Sequence, residues 1–452
     1  MKITVVGCGK IGRTILSSLV SEGHNVTAID KDSSVIAEIT NIYDVMGVCG
    51  NGVDWDTLSE ADVDKTNLFI AATGSDELNM LSCFVAGRMG AKNTIAKISN
   101  PEYNDQGLAF MQKQLDLSLS VNPELLAARE IFNVLKLPSA AKIETFSGRS
   151  FEMVELWLKD DSPLDGMSLI ELRKKYQALF LICVVRRGDE IYIPDGNFVL
   201  KSGDKIALTA TPSEIQKLLK MLGLMQKQAR NVMILGASKT AFYLSKMLLS
   251  SGNSVKVIEL NRDKCTEFCD KLPGISMIQG DGAQQELLLE EGLTSMDAFV
   301  TLTGTDEENI LLSCFASSQK VPKVISKVNR DEFASMAERL GLDCINSPRK
   351  AVSDIIVRYA RALQNSEGSN VEKLYKIMDG KAEALEFSVG PDLSFTQKPL
   401  SKIELKPGIL IAGIIRARKT IIPTGADFIL PGDRVIVVSA EQRLDDLADI
   451  IR

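Results

Sequence analysis

The stretch Val5-Val-Gly-Cys-Gly-Lys-Ile-Gly12 decides the fold of this chain, because it joins a strand to a helix through a glycine-rich turn. Residues 2–6 read as a buried strand, and residues 11–22 have the apolar spacing of a helix. The strand predicted at 25–30 ends in an acidic residue, Asp30. A Gly-x-Gly-x-x-Gly turn between strand and helix, followed by such an acid, is typical of dinucleotide-binding α/β domains.

The glycines and the acid of this motif each have a role in holding a dinucleotide. Gly7 permits the tight turn, Gly9 lets the backbone approach the diphosphate, and Gly12 allows the helix to pack against the strand. The N-terminus of the helix directs amide donors and the positive end of its dipole at a phosphate. Asp30 is expected to accept hydrogen bonds from the adenosine ribose and to repel a 2′-phosphate, which favours NAD over NADP.

The chain repeats this pattern about 230 residues later, which indicates a tandem duplication. The matching segments follow one order at a nearly constant offset, which chance does not explain. They include 5–12 with 234–241, Asp30 with Glu259, 50–52 with 280–282, 73–79 with 303–309, and Gly203-Asp204 with Gly432-Asp433.

The glycine-rich turn of the second copy departs from the motif. Gly236 and the acid Glu259 are kept, but Ser238 and Ala241 replace the other two glycines. A Cβ at Ser238 would stand where a diphosphate presses on the backbone, although the hydroxyls of Ser238 and Thr240 are able to touch a phosphate. Two interpretations of this copy are left: an empty cleft, or a site for a mononucleotide.

Further candidate ligand contacts follow the third, fourth and fifth strands of each copy. The carboxyl ends of these strands line the ligand crevice of an open α/β sheet. A side chain after the third strand is placed to meet the adenine amino group, the backbone after the fourth passes the ribose or diphosphate, and a lysine near the fifth reaches phosphate. In that order these residues are Asn51, Thr73-Gly74 and Lys97 in the first copy, and Asp281, Thr303-Gly304 and Lys327 in the second.

Other polar features of the sequence have structural explanations. Cys265 and Cys269 lie one helical turn apart without further ligands, which favours packing over a metal site. The single histidine, His24, follows Gly23 and is expected in an exposed turn with no catalytic role. Acidic residues at the start of two helices are expected to act mainly as N-terminal caps; they are Asp76, Glu77, Asp306 and Glu307.

The composition argues against several classes of function. The chain has 452 residues and a net charge of −7, and only 6% of its residues are aromatic, so it lacks the basic surface and the stacking residues of nucleic-acid-binding proteins. No apolar stretch approaches the ~18 residues of a membrane span, and the sequence enters a strand at once, without a signal peptide. Eight scattered cysteines favour reduced thiols over a disulfide framework.

The predicted fold is α/β: two tandem Rossmann-like domains with doubly wound parallel sheets, each followed by a small α+β C-lobe. In the C-lobes, strand-like runs are broken by turn signals such as Pro194-Asp-Gly. Linkers are expected at 365–370 and 227–230. The predicted boundaries are 1–138 for the first Rossmann-like lobe, 139–226 for its C-lobe, 229–365 for the second Rossmann-like lobe and 370–452 for its C-lobe.

Taken together, these motifs resemble the TrkA-type regulatory subunits of bacterial Trk potassium-uptake systems. The resemblance is carried by the first glycine-rich turn, Asp30, and the segments 50–52, 71–79 and 95–98, and it covers essentially the whole chain. It implies tandem RCK (KTN) domains that bind NAD(H) and, in related members, ATP or ADP. It also implies a cytoplasmic, non-enzymatic homo-oligomer, a dimer or tetramer forming a ring, which lies at the inner face of the membrane on a Trk-type potassium-translocating partner and gates it.

The resemblance also assigns nucleotide-binding residues, and it assigns neither catalytic residues nor metal ligands. The first site is implied to comprise Gly7, Cys8, Gly9, Lys10, Ile11, Gly12, Asp30, Asn51, Thr73, Gly74 and Lys97. The second site is implied to comprise Gly236, Ala237, Ser238, Lys239, Thr240, Glu259, Asp281, Thr303 and Lys327.

Two other functions fit part of the sequence. A soluble NAD-dependent oxidoreductase would explain the dinucleotide motif, but it needs a general acid or base near the nicotinamide. The duplication, the single histidine and the small C-lobes favour a regulatory subunit instead. A stand-alone nucleotide sensor with a partner unrelated to potassium is the third hypothesis.

Overall fold

The computed structural model describes the chain except for residues 104, 138, 147–150, 177, 226–227, 343, 366–370, 392, 394, 418 and 441–442. The chain forms two compact units, one made of 1–132 with 229–360 and the other of 133–228 with 361–452. Most of the linker predicted at 365–370, residue 227 of the other linker, and residue 370 of the predicted second C-lobe lie outside the described residues.

The first copy begins with a parallel sheet that has six strands in the order β3-β2-β1-β4-β5-β6. Apolar side chains of β1 are buried on the sheet, and Ile15, Leu16 and Leu19 of α1 pack over it. The elements are β1 (Lys2–Val6), α1 (Lys10–Ser21), β2 (Asn25–Asp30), α2 (Ser33–Ile42), β3 (Met46–Cys49), α3 (Trp55–Glu60), β4 (Leu68–Ala71), α4 (Asp76–Met89), β5 (Thr94–Lys97), α5 (Asp105–Gln114), β6 (Leu119–Val121) and α6 (Pro123–Lys136).

The first C-lobe is an antiparallel sheet with two helices. Its strand order is β10-β9-β11-β8-β7. The elements are β7 (Lys142–Phe146), β8 (Phe151–Trp157), α7 (Leu169–Lys175), β9 (Phe180–Arg187), β10 (Glu190–Tyr192), β11 (Lys205–Ala210) and α8 (Pro212–Met221).

The second copy repeats the parallel sheet, with the strand order β14-β13-β12-β15-β16-β17. The elements are β12 (Asn231–Leu235), α9 (Lys239–Ser250), β13 (Ser254–Glu259), α10 (Arg262–Lys271), β14 (Ser276–Gln279), α11 (Gln285–Glu290), β15 (Ala298–Thr301), α12 (Asp306–Ser318), β16 (Lys323–Lys327), α13 (Asp331–Arg339), β17 (Ile345–Asn346) and α14 (Pro348–Asn365).

The second C-lobe has an antiparallel sheet in the order β18-β19-β22-β20-β21. Its strands are β18 (Val371–Ile377), β19 (Ala382–Ser388), β20 (Ile409–Arg416), β21 (Lys419–Ile421) and β22 (Arg434–Ala440). The two C-lobe sheets share one apolar core, in which Phe151, Cys183, Ala412 and Ile436 are all buried. The predicted fold class is confirmed by these four sheets.

Reciprocal contacts join the two parallel-sheet domains within their unit. The Asn122 amide donates to the Tyr243 hydroxyl at 3.0 Å, and the Asn346 amide donates to the Glu130 carboxylate at 2.8 Å. Helix α6 and the residue that precedes it therefore both contact the second copy. Among the described residues, no helix combines the length and the apolar character that a bilayer crossing requires.

Candidate functional site

The first glycine-rich turn is held in a conformation that only glycine adopts easily. Gly7 has a φ of +87°, and its N–H donates to the Ile29 carbonyl at 2.9 Å. A Cβ on Gly7 would lie 2.7 Å from the Thr73 backbone nitrogen, so the turn packs directly on the end of β4. This contact brings the turn and the Thr73-Gly74 loop to the same edge of the sheet.

Gly12 and Gly9 have different roles in the turn. A Cβ on Gly12 would lie 1.9 Å from the Gly7 carbonyl oxygen, so Gly12 is required for the helix to approach the turn. A Cβ on Gly9 would meet no atom of the described residues within 4 Å, and Gly9 is an N-cap without a side-chain hydrogen bond. Gly9 is therefore not needed for packing, and it leaves the N-terminus of α1 open to a ligand.

Asp30 is anchored beside the turn by backbone amides. Its Oδ2 accepts from the Cys8 N–H at 2.7 Å, and its Oδ1 accepts from the Asp32 N–H at 3.0 Å. An ionised carboxylate has further acceptor sites, so ribose hydroxyls can still be bound. The Cys8 side chain is buried, and burial, together with the Asp30 charge, raises the pKa of its thiol to about 12. Cys8 can therefore contribute to a ligand site only through its backbone.

An asparagine that the sequence analysis did not assign fastens the ends of two strands together. The buried Asn79 side chain accepts from the Thr73 N–H at 2.8 Å and donates to the Lys97 carbonyl at 2.9 Å. Asn309 makes the same pair of bonds to Thr303 and Lys327 in the second copy, at 3.0 and 2.9 Å. The signal for this role was the recurrence of the asparagine in both copies of the repeated motif.

The prediction that Asp76 caps its helix is wrong. The cap of α4 is Ser75, whose Oγ accepts from the Leu78 N–H at 3.1 Å. Asp76 is buried and accepts from the backbone N–H groups of Ser99 and Asn100, at 2.8 and 2.7 Å. It therefore ties the loop after β5 to the start of α4.

The same correction applies to the second copy and to the two glutamates. Asp306 accepts from the Asn329 and Arg330 N–H groups at 3.0 Å each, while the N-cap of α12 is Thr305. Glu77 accepts from the Tyr103 hydroxyl at 2.7 Å, and Glu307 pairs with Arg330 at 2.5 Å. The two aspartates therefore tie the crevice edge to the loops after the fifth strands, whereas the two glutamates make exposed surface contacts.

The second glycine-rich turn keeps the same backbone frame. Gly236 has a φ of +92°, and Glu259 accepts from the Ala237 N–H at 2.7 Å. The difference lies at the helix, because Ser238 is the N-cap of α9 and its Oγ accepts from the Ala241 N–H at 3.3 Å. The Ala241 N–H of the second copy is thus capped by a side chain, whereas the matching amide of the first copy is not.

A cavity of about 220 Å³ opens at the carboxyl edge of the second sheet. Glu308 lines it and accepts from the Thr303 hydroxyl at 3.1 Å, whereas the first copy has Leu78 at this position. No sequence motif points to Glu308. The lining consists of Leu235, Gly236, Ala237, Ser238, Ile258, Glu259, Leu260, Lys264, Gly280, Asp281, Gly282, Leu302, Thr303, Gly304 and Glu308.

Three residues predicted for the second site lie outside this lining in the described structure. Lys239 is exposed, and Thr240 is buried, so its hydroxyl is not presented to a phosphate in the way the sequence suggested. The Lys327 ammonium donates to the Leu302 carbonyl at 3.4 Å, and burial lowers its pKa. Lys327 thus reaches the crevice edge at Leu302, which does line the cavity.

The side chains after the third strands are held in matching turns. Asn51 accepts from the Val53 N–H at 3.3 Å, and Asp281 accepts from the Ala283 N–H at 3.0 Å. A Cβ on Gly52 would lie 2.3 Å from the Val6 side chain, so this loop approaches the end of β1 closely. Asn51 and Asp281 are therefore fixed at the same edge of the sheets as the glycine-rich turns.

The remaining residues predicted for the first site differ in exposure. Lys10 and Gly74 are exposed, and Ile11 and Lys97 are half-buried.

The prediction that His24 lies in an exposed turn is wrong, because the His24 side chain is only 6% exposed.

The fold and the paired crevices define a class of protein with two nucleotide-type α/β domains and paired antiparallel lobes. The TrkA-N domain model matches residues 3–111 and 232–348, and the TrkA-C domain model matches residues 153–223 and 384–452. The chain therefore belongs to the TrkA family, and the predicted resemblance is confirmed.

Full-length relatives support this assignment. A Trk system potassium uptake protein TrkA homolog from Archaeoglobus fulgidus is 29% identical over 452 residues, covering 100% of both chains. The TrkA homolog 1 from Methanosarcina mazei is 30% identical over 447 residues, covering 97% of each chain. The Vibrio alginolyticus protein of the same name is 28% identical over 444 residues and covers 97% of this chain and 95% of the relative.

Solved structures share the fold at lower sequence identity. The GsuK channel bound to NAD is 17% identical with a TM-score of 0.62, and the match covers 97% of this chain and 77% of that one. The GsuK RCK domain is 16% identical with a TM-score of 0.63, covering 97% and 92%.

Proposed function

We propose that this chain is a nucleotide-sensing regulatory subunit that gates a membrane Trk-type potassium-translocating protein. Membership of the TrkA family supports the class of partner, since the relatives are named as Trk potassium uptake proteins. The observation that carries the proposal is the first turn, where Gly9 leaves the helix N-terminus open and Asp30 stands beside it. An anion and a ribose can be held there together.

The ligand of the first crevice is NAD(H), and ATP or ADP share the adenosine and phosphate groups that the same residues would hold. Backbone amides at the start of α1 would bind phosphate, and Asp30 would accept from the ribose hydroxyls. Asn51 would then meet the adenine amino group, and the Thr73-Gly74 loop would pass the ribose or diphosphate; the position of both at the edge of the sheet that carries the turn supports this. The GsuK channel, which shares the fold, has been solved bound to NAD.

Gating follows when the ligand binds two conformations with different affinities. Because β4 already pairs with β1 beside the turn, a ligand that bridges the α1 N-terminus and the loop after β4 would draw the exposed Gly74 toward Lys10. Asn79 links the Thr73 backbone to Lys97, so the end of β5 would move with it. A ligand shifts such an equilibrium only by its differential affinity, and couplings of about 1–3 kcal/mol change it about 5–150-fold.

A homo-oligomer, either a dimer or a tetramer that forms a ring, is part of this proposal. Leu81 on α4 and Leu311 on α12 occupy equivalent positions and are 50% and 68% exposed. Phe110 on α5 and Leu340, directly after α13, repeat this exposure. Apolar side chains exposed at matching places in both copies are suited to contacts between subunits. Such a ring would lie at the cytoplasmic face of the membrane on its partner.

Calorimetry with the purified chain tests the ligand part of the proposal. NADH should bind with a saturable stoichiometry, and ADP and ATP should compete for the same crevice. Co-purification of the chain with a Trk-type translocator tests the partner. Absence of binding by NADH, ADP and ATP alike would remove the proposed function.

A soluble NAD-dependent oxidoreductase is the second candidate, and the first glycine-rich turn is the observation that favours it. Such an enzyme would consume NADH in the presence of a carbonyl substrate. The steady-state rate of NADH consumption, followed by absorbance with a panel of such substrates, separates the two candidates. A regulatory subunit should show binding without turnover.

A further inference from the structure

We infer that the crevice of the second copy selects an adenine nucleoside that carries no phosphate on its 5′ side. The inference rests on the proposed function, because it extends the adenosine site proposed for the first crevice to the matching crevice of the second copy. It differs from that proposal in assigning the two copies to ligands of different charge.

The charges that line the second cavity are the first argument. Three carboxylates and one ammonium line it, those of Glu259, Asp281, Glu308 and Lys264. The matching positions of the first copy hold one carboxylate and three uncharged side chains, those of Asp30, Asn51, Leu78 and Val35. The second crevice is thus more acidic than the first, and a diphosphate entering it would meet more negative charge.

Glu308 is the acid best placed to exclude a phosphate. Its carboxylate accepts from the Thr303 hydroxyl at 3.1 Å, which fixes it on the loop that packs against the Gly236 turn. A Cβ on Gly236 would lie 3.1 Å from the Thr303 Cα, so loop and turn are in close contact. A diphosphate bound at the turn would therefore lie beside a carboxylate instead of the leucine of the first copy.

The helix N-terminus gives a second, independent argument. Ser238 uses its hydroxyl to cap α9, accepting from the Ala241 N–H at 3.3 Å. Gly9 in the first copy makes no such bond. The amide donors that would attract a phosphate are therefore partly satisfied by the protein itself.

The groups that would hold a nucleoside remain in place. Glu259 stands beside its turn as Asp30 does, with one amide donor on each oxygen, and it can still accept from ribose hydroxyls. Asp281 uses one oxygen for the Ala283 N–H and leaves the other for an adenine amino group. Both of these acids line the cavity of about 220 Å³.

Calorimetry with adenosine, ADP and NADH tests the inference on the full chain. In Asp30→Ala, which weakens the first crevice by removing its ribose acceptor, one tight adenosine site per chain should remain, and that site should bind ADP at least about tenfold more weakly. In the unmodified chain saturated with NADH, adenosine should still bind once per chain, so the test does not depend on the variant folding.

A pair of glutamate variants tests whether Glu308 is the reason that the second crevice disfavours a phosphate. Glu308→Gln should raise the ADP affinity of the second crevice about tenfold and leave adenosine binding unchanged. Glu307→Gln is the matched control, because Glu307 pairs with Arg330 and does not line the cavity. Equal gains in the two variants would contradict the role of Glu308.

The outcomes separate this inference from the proposed function. If ADP binds the second crevice as tightly as adenosine, or if adenosine does not bind while NADH binds the unmodified chain, the inference is overturned and the proposed function stands. If neither NADH nor ADP nor ATP binds the unmodified chain, both are overturned.

Discussion

The turns at Gly7 and Gly236 share a backbone frame but offer a ligand different surroundings. Both glycines have a positive φ, and in both copies an acid accepts from the next backbone N–H at 2.7 Å. The first copy then has an open helix N-terminus, while the second has a capping serine and two additional carboxylates, those of Asp281 and Glu308. The duplication has kept the residues that shape the turn and changed those that decide which charge it accepts.

The largest effect in this comparison is expected from Gly9→Val. The side chain would block the approach of a diphosphate to the backbone, and losing two charge-assisted hydrogen bonds of about 1.5–3 kcal/mol each would lower NADH affinity at least about 100-fold. The fold should be unaffected, because a Cβ on Gly9 lies more than 4 Å from every other part of the chain that the structure describes. Calorimetry gives the affinity and thermal denaturation serves as the control. Affinity like that of the unmodified chain would refute the assignment of the first site.

A smaller effect on stability is expected where the copies differ at the start of the helix. Gly12→Ala places a Cβ 1.9 Å from the Gly7 carbonyl oxygen and should destabilise the start of α1 by about 1–3 kcal/mol. The second copy already accommodates Ala241, so Ala241→Gly should cost only about 0.5–1 kcal/mol. Amide hydrogen exchange of α1 and α9 measures the free energy of local opening of each helix. Equal protection changes in the two helices would show that the turns pack alike.

The smallest effect is expected from Ser238→Gly, which gives the second copy the N-cap of the first. Replacing a serine cap by glycine costs only a few tenths of a kcal/mol. Freeing the Ala241 amide should raise the affinity of the second crevice for ADP by a few-fold, while Glu308 still opposes it. Titration of this variant beside Glu308→Gln ranks the two causes. A gain from Ser238→Gly larger than that from Glu308→Gln would reverse the ranking.

The sequence was sufficient for the elements whose pattern is local. The glycine-rich turns, the first five strands of each parallel sheet and the duplication follow from spacing along the chain. Strands β6 and β17 have only three and two residues, too few for a periodic signal. The sequence analysis therefore did not predict them.

The errors at the candidate site have a different cause, which is contact between residues distant in sequence. Asp76 was predicted as a cap, yet it accepts from amides more than 20 residues away, at Ser99 and Asn100. His24 was predicted to be exposed, but it is almost completely buried. Glu308 differs from its counterpart Leu78 at a position where no motif demands either residue. Packing of the crevice edge decides such roles, and one sequence does not reveal it.

Potassium flux through a reconstituted Trk-type translocator tests the central claim most directly. Added chain should change the flux, and the change should depend on NADH or another adenine nucleotide within the about 5–150-fold range of typical couplings. Asp30→Ala should weaken the NADH dependence while the complex still forms, and the matched Glu259→Ala should leave it largely intact. Flux that no adenine nucleotide alters, with the complex verified, would contradict the account.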